Sequence, residues 1–546
     1  MIDDPSVTIG LSQAQLAELA EFGSRRAVAE GDYLYREGDA DYDFFVVLSG
    51  VVEIVAGTGG DERLIARHGP GRFLGELNLL TGLRVFVTAR VVEPGEVLVV
   101  PAAALREIIA ERPALSDVIL AAFIARRSML LTDAAATIRL IGSRYSAELS
   151  RLREFLQRAQ VPHQWLDPDR DDGVEGLLRD AGVQPRELPI VIATGAVLRR
   201  PTTGELAQFL GLVVDTSTHH CFDLVVVGSG PAGLAAAVYG ASEGLSTLAV
   251  ESTALGGQAG GSSRIENYLG FPTGISGGDL THRALVQAEK FGAAFTVPCT
   301  AVGLTQTAGH LSVHLSDGTD VVARAVIAAS GARYRKLRAP GIEEFEDSSV
   351  FYAATEMEAR ECTPAPVVVV GGGNSAGQAA MFLAESGSPV TIVIRGADLA
   401  ASMSRYLVDR IVSDPRIQLR TRTTVSALIG SMALEHVVLA GPDGETKLAC
   451  QALFSFIGAD PASQWLSGCA ALDGHGFVLT DRSLTADQLG STWDVLGRAP
   501  LPFESSRPGL FAVGDLRSGS TKRVAAAVGE GSAAVRAVHE YLAFSH

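Results

Sequence analysis

FDLVVVGSGPAGLAAAVYGASEGLSTLAVE, residues 222 to 251, decides the reading of this chain. The run Phe222 to Val227 has the length and β-branched content of a buried strand. A glycine-rich turn follows, Pro231 opens a small-residue helical stretch, and a second apolar strand closes on Glu251. Gly228, Gly230 and Gly233 have the spacing of a dinucleotide-binding turn. The first permits the tight turn, the second lets a diphosphate approach backbone N–H groups at the helix start, and the third lets the helix pack closely. Glu251 stands about twenty residues on, where a carboxylate accepts a hydrogen bond from an adenosine ribose.

The pattern recurs. PVVVVGGGNSAGQAAMFLAESGSPVTIVIR, from Pro366 to Arg395, repeats strand, turn, helix and strand, with Gly371, Gly373, Asn374, Ser375 and Ala376 in the turn. Two such units imply two dinucleotides. The economical pair is FAD with NAD(P)H, because a flavin accepts a hydride from a nicotinamide.

At 546 residues the chain exceeds one hydrophobic core, and roughly 100–200 residues per domain suggests about three or four domains. A hydrophobic share of 47% with 20% charged residues places it among globular proteins. The net charge of −17 opposes attraction to a phosphate backbone, so no nucleic-acid partner is expected. The start, MIDDPSVTIGLSQAQ, has neither a basic opening nor an apolar signal core, and no apolar run reaches the ~18 residues of a membrane span. A cytoplasmic protein is expected, with no metal site. Cys221, Cys299, Cys362, Cys450 and Cys469 form no CxxC, and each reads as a buried small hydrophobe.

Ahead of the first fingerprint, LSQAQLAELAEF at 11–22 has helical apolar spacing. Short β-type runs then extend from Ala27 to Pro101, punctuated by turns at Gly31, Gly38, Gly50, Gly71 and Gly95, and a helical pattern runs from Pro101 to Leu131. Residues 1–135 resemble the cyclic nucleotide-binding domain, in GDYLYREGDADYDFFVVLSGVVEIVAG and in GRFLGELNLLTGLRVFVTARV. The resemblance implies that Gly75 and Glu76 hold a ribose. Arg84 stands one place before the family's phosphate-binding arginine, a position that Val85 fills. Two readings stay open: a cyclic nucleotide site using Arg84, or a docking or dimerisation domain. No helix-turn-helix follows, which argues against a transcription factor.

Residues 136–214 run strand, helix, strand, helix, strand, through TIRLIG at 137–142, the helical pattern Ala147 to Arg158, VPHQWLD, a second helical stretch at 175–181 and LPIVIA at 188–193. They resemble thioredoxin- and glutaredoxin-fold domains, with Pro189 at the family's cis-proline position. Ser143 and Ser146 have the CxxC spacing, but hydroxyls form no disulfide, so this domain is expected to be redox-silent. VDTSTHHC, residues 214–221, reads as a linker.

Residues 222–546 resemble thioredoxin reductase, in GGQ at 256–258, ENYLGFP at 266–272, FIGADP at 456–461 and GLFAVGDL at 509–516. The resemblance implies that Gly257, Gln258 and Asn267 lie near the flavin and that Gly514 and Asp515 meet its ribityl and phosphate portion. Lys522, Arg523 and Val524 then close over the isoalloxazine. It also implies a split FAD-binding domain, 222–340 and 495–546, with the NAD(P)H-binding domain inserted at 341–494. In SVFYAATEMEAREC, alignment on Tyr352 puts Ala353 and Glu356 where the family has its cysteine pair, so the route to a protein dithiol is absent. Glu356 is either a proton carrier beside the flavin or a solvated helix glutamate. Where the family has His-Arg-Arg, this chain has Ile394, Arg395 and Gly396. Arg395 and Arg405 are the expected 2′-phosphate ligands, which favours NADPH, with NADH as the alternative donor.

The expected architecture is multidomain: a β-barrel or jelly roll, a thioredoxin-like α/β domain and two Rossmann-like α/β domains. The implied activity is an FAD-dependent NAD(P)H oxidoreductase, homodimeric by resemblance, serving a ferredoxin, flavodoxin, thioredoxin-like protein, quinone or small disulfide. The alternatives are a nucleotide- or redox-sensing regulator, and a thioredoxin reductase using dithiols supplied by a partner.

Overall fold

The computed structural model describes residues 9–57, 62–132, 138–193, 196–213, 221–262, 264–307, 309–346, 348–431 and 433–544. Thr137 and most of the linker expected at 214–221 lie outside the described residues.

Ser12 caps the first helix, Gln13–Ala20, with its hydroxyl accepting from the Gln15 N–H. Two long antiparallel strands, Phe44–Ala56 and Thr88–Val100, form the spine of a six-stranded sheet. Ser24–Val28 and Tyr33–Tyr35 pair with the second, and Arg63–His68 and Phe73–Leu74 with the first. Alternation along the spine sends Phe45 and Val47 into one apolar cluster and Phe44 and Val46 into another. The second cluster is closed by helices, and the stretch expected as one helix from Pro101 is two, Ala102–Glu111 and Pro113–Thr132. The break falls before Pro113, because a proline has no N–H to continue the first helix.

The next sheet has the order Ala196–Arg199, Ile190–Ala193, Ile138–Ile141, His163–Leu166, with only the last pair parallel. Helices Ala147–Arg158, Val174–Asp180 and Thr203–Leu210 complete a thioredoxin-like domain, in which the Leu188–Pro189 bond is cis. Ser146 serves as the cap of the first of these helices, its hydroxyl accepting from the Leu149 N–H at 3.2 Å. The apolar side of this domain is continuous with the next: Leu152, Phe155 and Leu206 share one buried cluster with Leu224, Val226 and Leu234.

Phe222–Val227 lies at the centre of a seven-stranded sheet, parallel to Thr247–Val250 and to Asp320–Ala328. Leu510–Ala512 returns to this sheet from the C-terminal end, so the first nucleotide domain is split. Between the two parts stands a five-stranded parallel sheet with Val367–Val370 at its centre. The return comes earlier than the expected residue 495. Trp465, Leu466 and Val478 pack in the same core as Phe222 and Val225, because the short strands Ala332–Tyr334 and Ala459–Pro461 pair and carry the chain back. The C-terminal helix Val524–Phe544 packs on the helix Pro231–Ser242. A Cβ at Gly531 would come 2.1 Å from the Ala232 carbonyl oxygen, which fixes how closely these helices approach.

Candidate functional site

A cavity of about 1150 Å³ lies where the two fingerprints face one another, with Gly230, Glu251, Gln258, Gly373, Asp515 and Arg523 among its walls. Its volume exceeds the ~300–1,000 Å³ usual for a single small ligand, as an extended dinucleotide requires.

At the first fingerprint Gly228 has φ +106°, and a Cβ there would come 2.3 Å from the Ala329 carbonyl oxygen. Only glycine fits this conformation and this contact. A Cβ at Gly233 would meet the Gly228 carbonyl oxygen at 1.8 Å, so the helix Pro231–Ser242 can sit on the turn only without a side chain there. Pro231 occupies the first helical position, where the missing N–H costs nothing, and the helix start is left open to an anion. Glu251 braces this turn: its Oε2 accepts from the Ser229 N–H at 2.8 Å and hydroxyl at 3.0 Å, and its Oε1 from the Thr253 N–H at 3.0 Å.

The other predicted flavin residues converge on the same cavity. Gly257 and Gln258 line it, and Gln258 Nε2 donates to the Ala332 carbonyl. Asn267, Gly514, Asp515, Lys522, Arg523 and Val524 line it as well. Burial raises the Asp515 carboxyl above the usual carboxylate range, and Lys522 opposes that shift. Lys522 Nζ donates to the Asp515 carbonyl oxygen at 2.8 Å. Glu530, which the sequence reading passed over, holds the turn before this segment. Its Oε2 accepts from the Gly514 N–H at 2.7 Å, and it pairs with Arg517 at 2.7 Å.

On the second fingerprint, Gly373, Asn374 and Ser375 line the cavity, while Asn374 Oδ1 accepts from the Ser404 N–H at 2.7 Å. Gly371 takes φ +143° against the Phe456 carbonyl, repeating the logic of Gly228. Arg395 is exposed just beyond the strand Val390–Val393. Arg405 is 95% exposed and lies 3.8 Å from Asp409 on its own helix; it does not line the cavity. The strand Ile417–Arg420 runs parallel beside Val390–Val393, and the Arg422 N–H donates to the Gly396 carbonyl at 2.9 Å. Exposed Arg420 and Arg422 therefore stand beside Arg395, a grouping invisible in sequence because it depends on strand order.

Ala353 is part of the cavity wall, and a Cβ at Gly261 would lie 3.8 Å from its methyl. The Glu356 side chain lies outside the described residues. On the same helix Glu358 is buried, accepting from the Thr355 N–H at 2.7 Å and from its hydroxyl, and burial raises its carboxyl. Nearby Glu154, from the thioredoxin-like domain, raises it further. None of the five cysteines is in a disulfide; Cys299, Cys362 and Cys450 are buried as expected, whereas Cys221 and Cys469 are only half-buried. Cys299 lines the cavity, its thiol pushed up by burial, and burial pushes the Cys450 thiol up to about 12. Among the described residues no cluster of His, Cys, Asp and Glu is arranged to hold a metal, and no helix is long and apolar enough to cross a membrane.

The thioredoxin-like domain also reaches this cavity. Arg158, the last residue of the helix Ala147–Arg158, lines it and donates from Nη2 to the Ala254 carbonyl at 3.0 Å and the Gly257 carbonyl at 2.7 Å. Sequence reading assigned Arg158 no role, since a helix-terminal arginine ordinarily reads as surface charge.

In the N-terminal barrel Gly75 and Glu76 border a small cavity of about 30 Å³. Glu76 is buried, accepts from Phe86 N at 3.2 Å and Asn78 Nδ2 at 3.0 Å, and lies 3.6 Å from Arg127. Arg84, the candidate phosphate ligand, faces away from this cavity. Its Nε donates to the Phe209 carbonyl at 2.7 Å and its Nη1 to the Gly38 carbonyl at 2.9 Å, because Val85 and Val87 take the inward positions. The cation beside the cavity is instead Arg126, buried and donating to the Gly75 and Phe73 carbonyls at 2.7 and 3.0 Å.

Residues 222–531 match the family model of the pyridine nucleotide-disulphide oxidoreductases, and residues 25–112 that of the cyclic nucleotide-binding domain. The chain is 33% identical over 325 residues to a thioredoxin reductase of Treponema pallidum, covering 59% of this chain and 97% of the relative. It is 32% identical over 324 residues to one of Streptomyces clavuligerus, covering 59% and 94%. Among solved structures it resembles thioredoxin reductase of Lactococcus lactis in the FR conformation, with TM-score 0.53 and 27% identity over 59% of this chain and 99% of that one.

Proposed function

The chain belongs to the pyridine nucleotide-disulphide oxidoreductase family, and from that premise we propose that this NAD(P)H-dependent flavoprotein oxidoreductase passes its electrons to an acceptor outside the chain. The observation that carries the proposal is Ala353, a methyl group in the cavity wall where relatives by resemblance carry a thiol, in a chain whose five cysteines form no disulfide.

The residues present fit FAD and NAD(P)H. Two twelve-residue helices, Pro231–Ser242 and Asn374–Glu385, begin at glycine turns, and their N-termini favour diphosphate anions. When bound, FAD supplies the hydride-accepting ring and NAD(P)H the hydride. Glu251 keeps the first turn in shape through Ser229, and Glu530 does the same for the Gly514–Asp515 turn. Lys522, Arg523 and Val524 close the wall that resemblance assigns to the isoalloxazine. Arg395, with Arg420 and Arg422 beside it, offers a positive rim for a 2′-phosphate, which supports NADPH as the donor.

The modules at 1–135, 136–214, 222–340, 341–494 and 495–546 belong to the same reading, with the return point moved to about 462 by the packing of Trp465 and Leu466. A ferredoxin, flavodoxin, thioredoxin-like protein, quinone or small disulfide is the acceptor it implies. A homodimer working in the cytoplasm is carried by family resemblance.

A specific contact favours a second reading as a regulator. The helix Gly277–Lys290 of the flavin domain packs on the flavin-side turn Gly257–Gly260 and also on the barrel helix Asn78–Thr81, so the two modules share one element. Anaerobic stopped-flow reduction separates the readings. Rapid bleaching of the flavin band by NADPH supports the enzyme, and no bleaching by NADPH or NADH overturns it in favour of the regulator.

A further inference from the structure

Arg158 belongs to a domain with no cysteine of its own, yet its guanidinium lies in the wall of the flavin cavity together with Gly230 and Asp515. Its side chain is 15% exposed. Nη2 is engaged by the Ala254 and Gly257 carbonyls, and Nη1 by Glu154 at 3.1 Å. Nε is buried and has no acceptor. A buried arginine donor without a partner is costly, and turning the guanidinium slightly toward the cavity that Arg158 lines would let a ligand oxygen satisfy it. The clasped carbonyls locate that ligand atom. Gly257 lies against the first fingerprint, since a Cβ on it would come 2.6 Å from the Gly230 Cα. The guanidinium thus stands beside the turn whose open N–H groups suit a diphosphate, and a planar fork suits phosphate oxygens.

We propose that Arg158 is a flavin-binding residue, donating to the phosphate-bearing middle of FAD, and that the thioredoxin-like domain acts as a wall of the flavin site instead of a redox module. The proposal rests on the reading that FAD fills this cavity. The shared apolar cluster of Leu152, Phe155, Leu224 and Leu234 fixes the domain against the flavin sheet, as a permanent wall requires. Glu154 orients the guanidinium from one turn earlier and is itself half exposed, so it only partly neutralises the positive charge.

The test uses the full chain stripped of flavin and titrated with FAD, following flavin fluorescence, together with the ³¹P resonances of the bound cofactor and the melting of the flavin-free protein. Arg158→Ala is expected to weaken FAD binding roughly tenfold or more, the loss that accompanies a charge-assisted hydrogen bond. Arg158→Lys keeps the charge but lacks Nε, and it is expected to recover only part of the affinity. Both are expected to shift the ³¹P resonances; Arg158→Ala also gives up the Ala254 and Gly257 carbonyl contacts and is expected to lower the flavin-free melting, whereas Arg158→Lys keeps it nearer the wild-type value. Wild-type affinity and unshifted ³¹P signals in Arg158→Ala overturn the proposal. Should Arg158→Ala lower the flavin-free melting, Arg158→Lys decides by the same two readouts. A wild-type chain that binds no FAD overturns the flavin reading itself, a result distinct from a variant that binds as well as the wild type.

Discussion

Arg84 Nε donates to the Phe209 carbonyl at 2.7 Å, and the guanidinium lies 5.6 Å from the Phe209 ring centroid, so an arginine of the barrel is spent on the thioredoxin-like domain. The cavity beside Gly75 and Glu76 is near 30 Å³ in this conformation, and the reading of the barrel as a docking domain carries two predictions. Cyclic AMP is expected to leave the thermal midpoint unchanged, whereas a ligand at about 100 times its Kd adds about 2.7 kcal/mol. Arg84→Ala is expected to destabilise the chain by about 1–3 kcal/mol through the lost carbonyl contacts. Urea unfolding measures the second effect, and a rise in Tm with cyclic AMP contradicts the first.

Donor preference should follow strand order. Arg395→Leu, or Arg420→Leu with Arg422→Leu, is expected to raise KM for NADPH about tenfold or more while leaving KM for NADH nearly constant. Arg405→Ala, whose side chain is 95% exposed and lies near exposed Asp409, is expected to change it less than about fivefold. Steady-state kinetics with both donors checks the contrast; equal losses for NADPH and NADH contradict it.

The helix shared by barrel and flavin domain should carry a pH signature. The Glu289 carboxyl is pushed up to about 8 by burial, and its Oε2 is buried without a hydrogen-bond partner. Its folded value lies above the unfolded one, so its contribution is present below the unfolded value near 4.3 and is lost as pH rises through about 8. His282, on the same helix, is held down to about 4 chiefly by burial, with Arg127 adding to the shift. Its contribution is present above about 6.5 and is lost as pH falls through about 4. Glu289→Gln is expected to flatten the fall in stability between about pH 4 and 8 while leaving the slope above about pH 8 unchanged, as urea midpoints across that range would record. An unchanged slope below about pH 8 contradicts the assignment.

Much of this was legible in sequence where local pattern and chemistry coincide. The runs 222–251 and 366–395 announce strand, turn and helix because a dinucleotide turn needs glycine at fixed offsets, and both form as read. The cis bond at Pro189 stands where the resemblance to thioredoxin-fold domains places one. What escaped depends on contacts between distant segments. Arg84 faces outward because Val85 and Val87 fill the barrel. Trp465 and Val478 join the flavin core from a stretch with no periodicity to mark it. Arg127 and Arg158 sit on helices where a long charged side chain ordinarily reads as solvated, yet each is held between modules.

Under the proposed function, flavin is the electron store of the chain. Anaerobic titration of the FAD-loaded protein with dithionite counts that store directly. The expected end point is one two-electron equivalent per flavin, unchanged when all five cysteines are replaced by alanine in a variant that retains its FAD. A second equivalent taken up by the wild-type chain, and lost in the cysteine-free variant, would show a working dithiol and contradict the proposal of an external acceptor served by flavin alone.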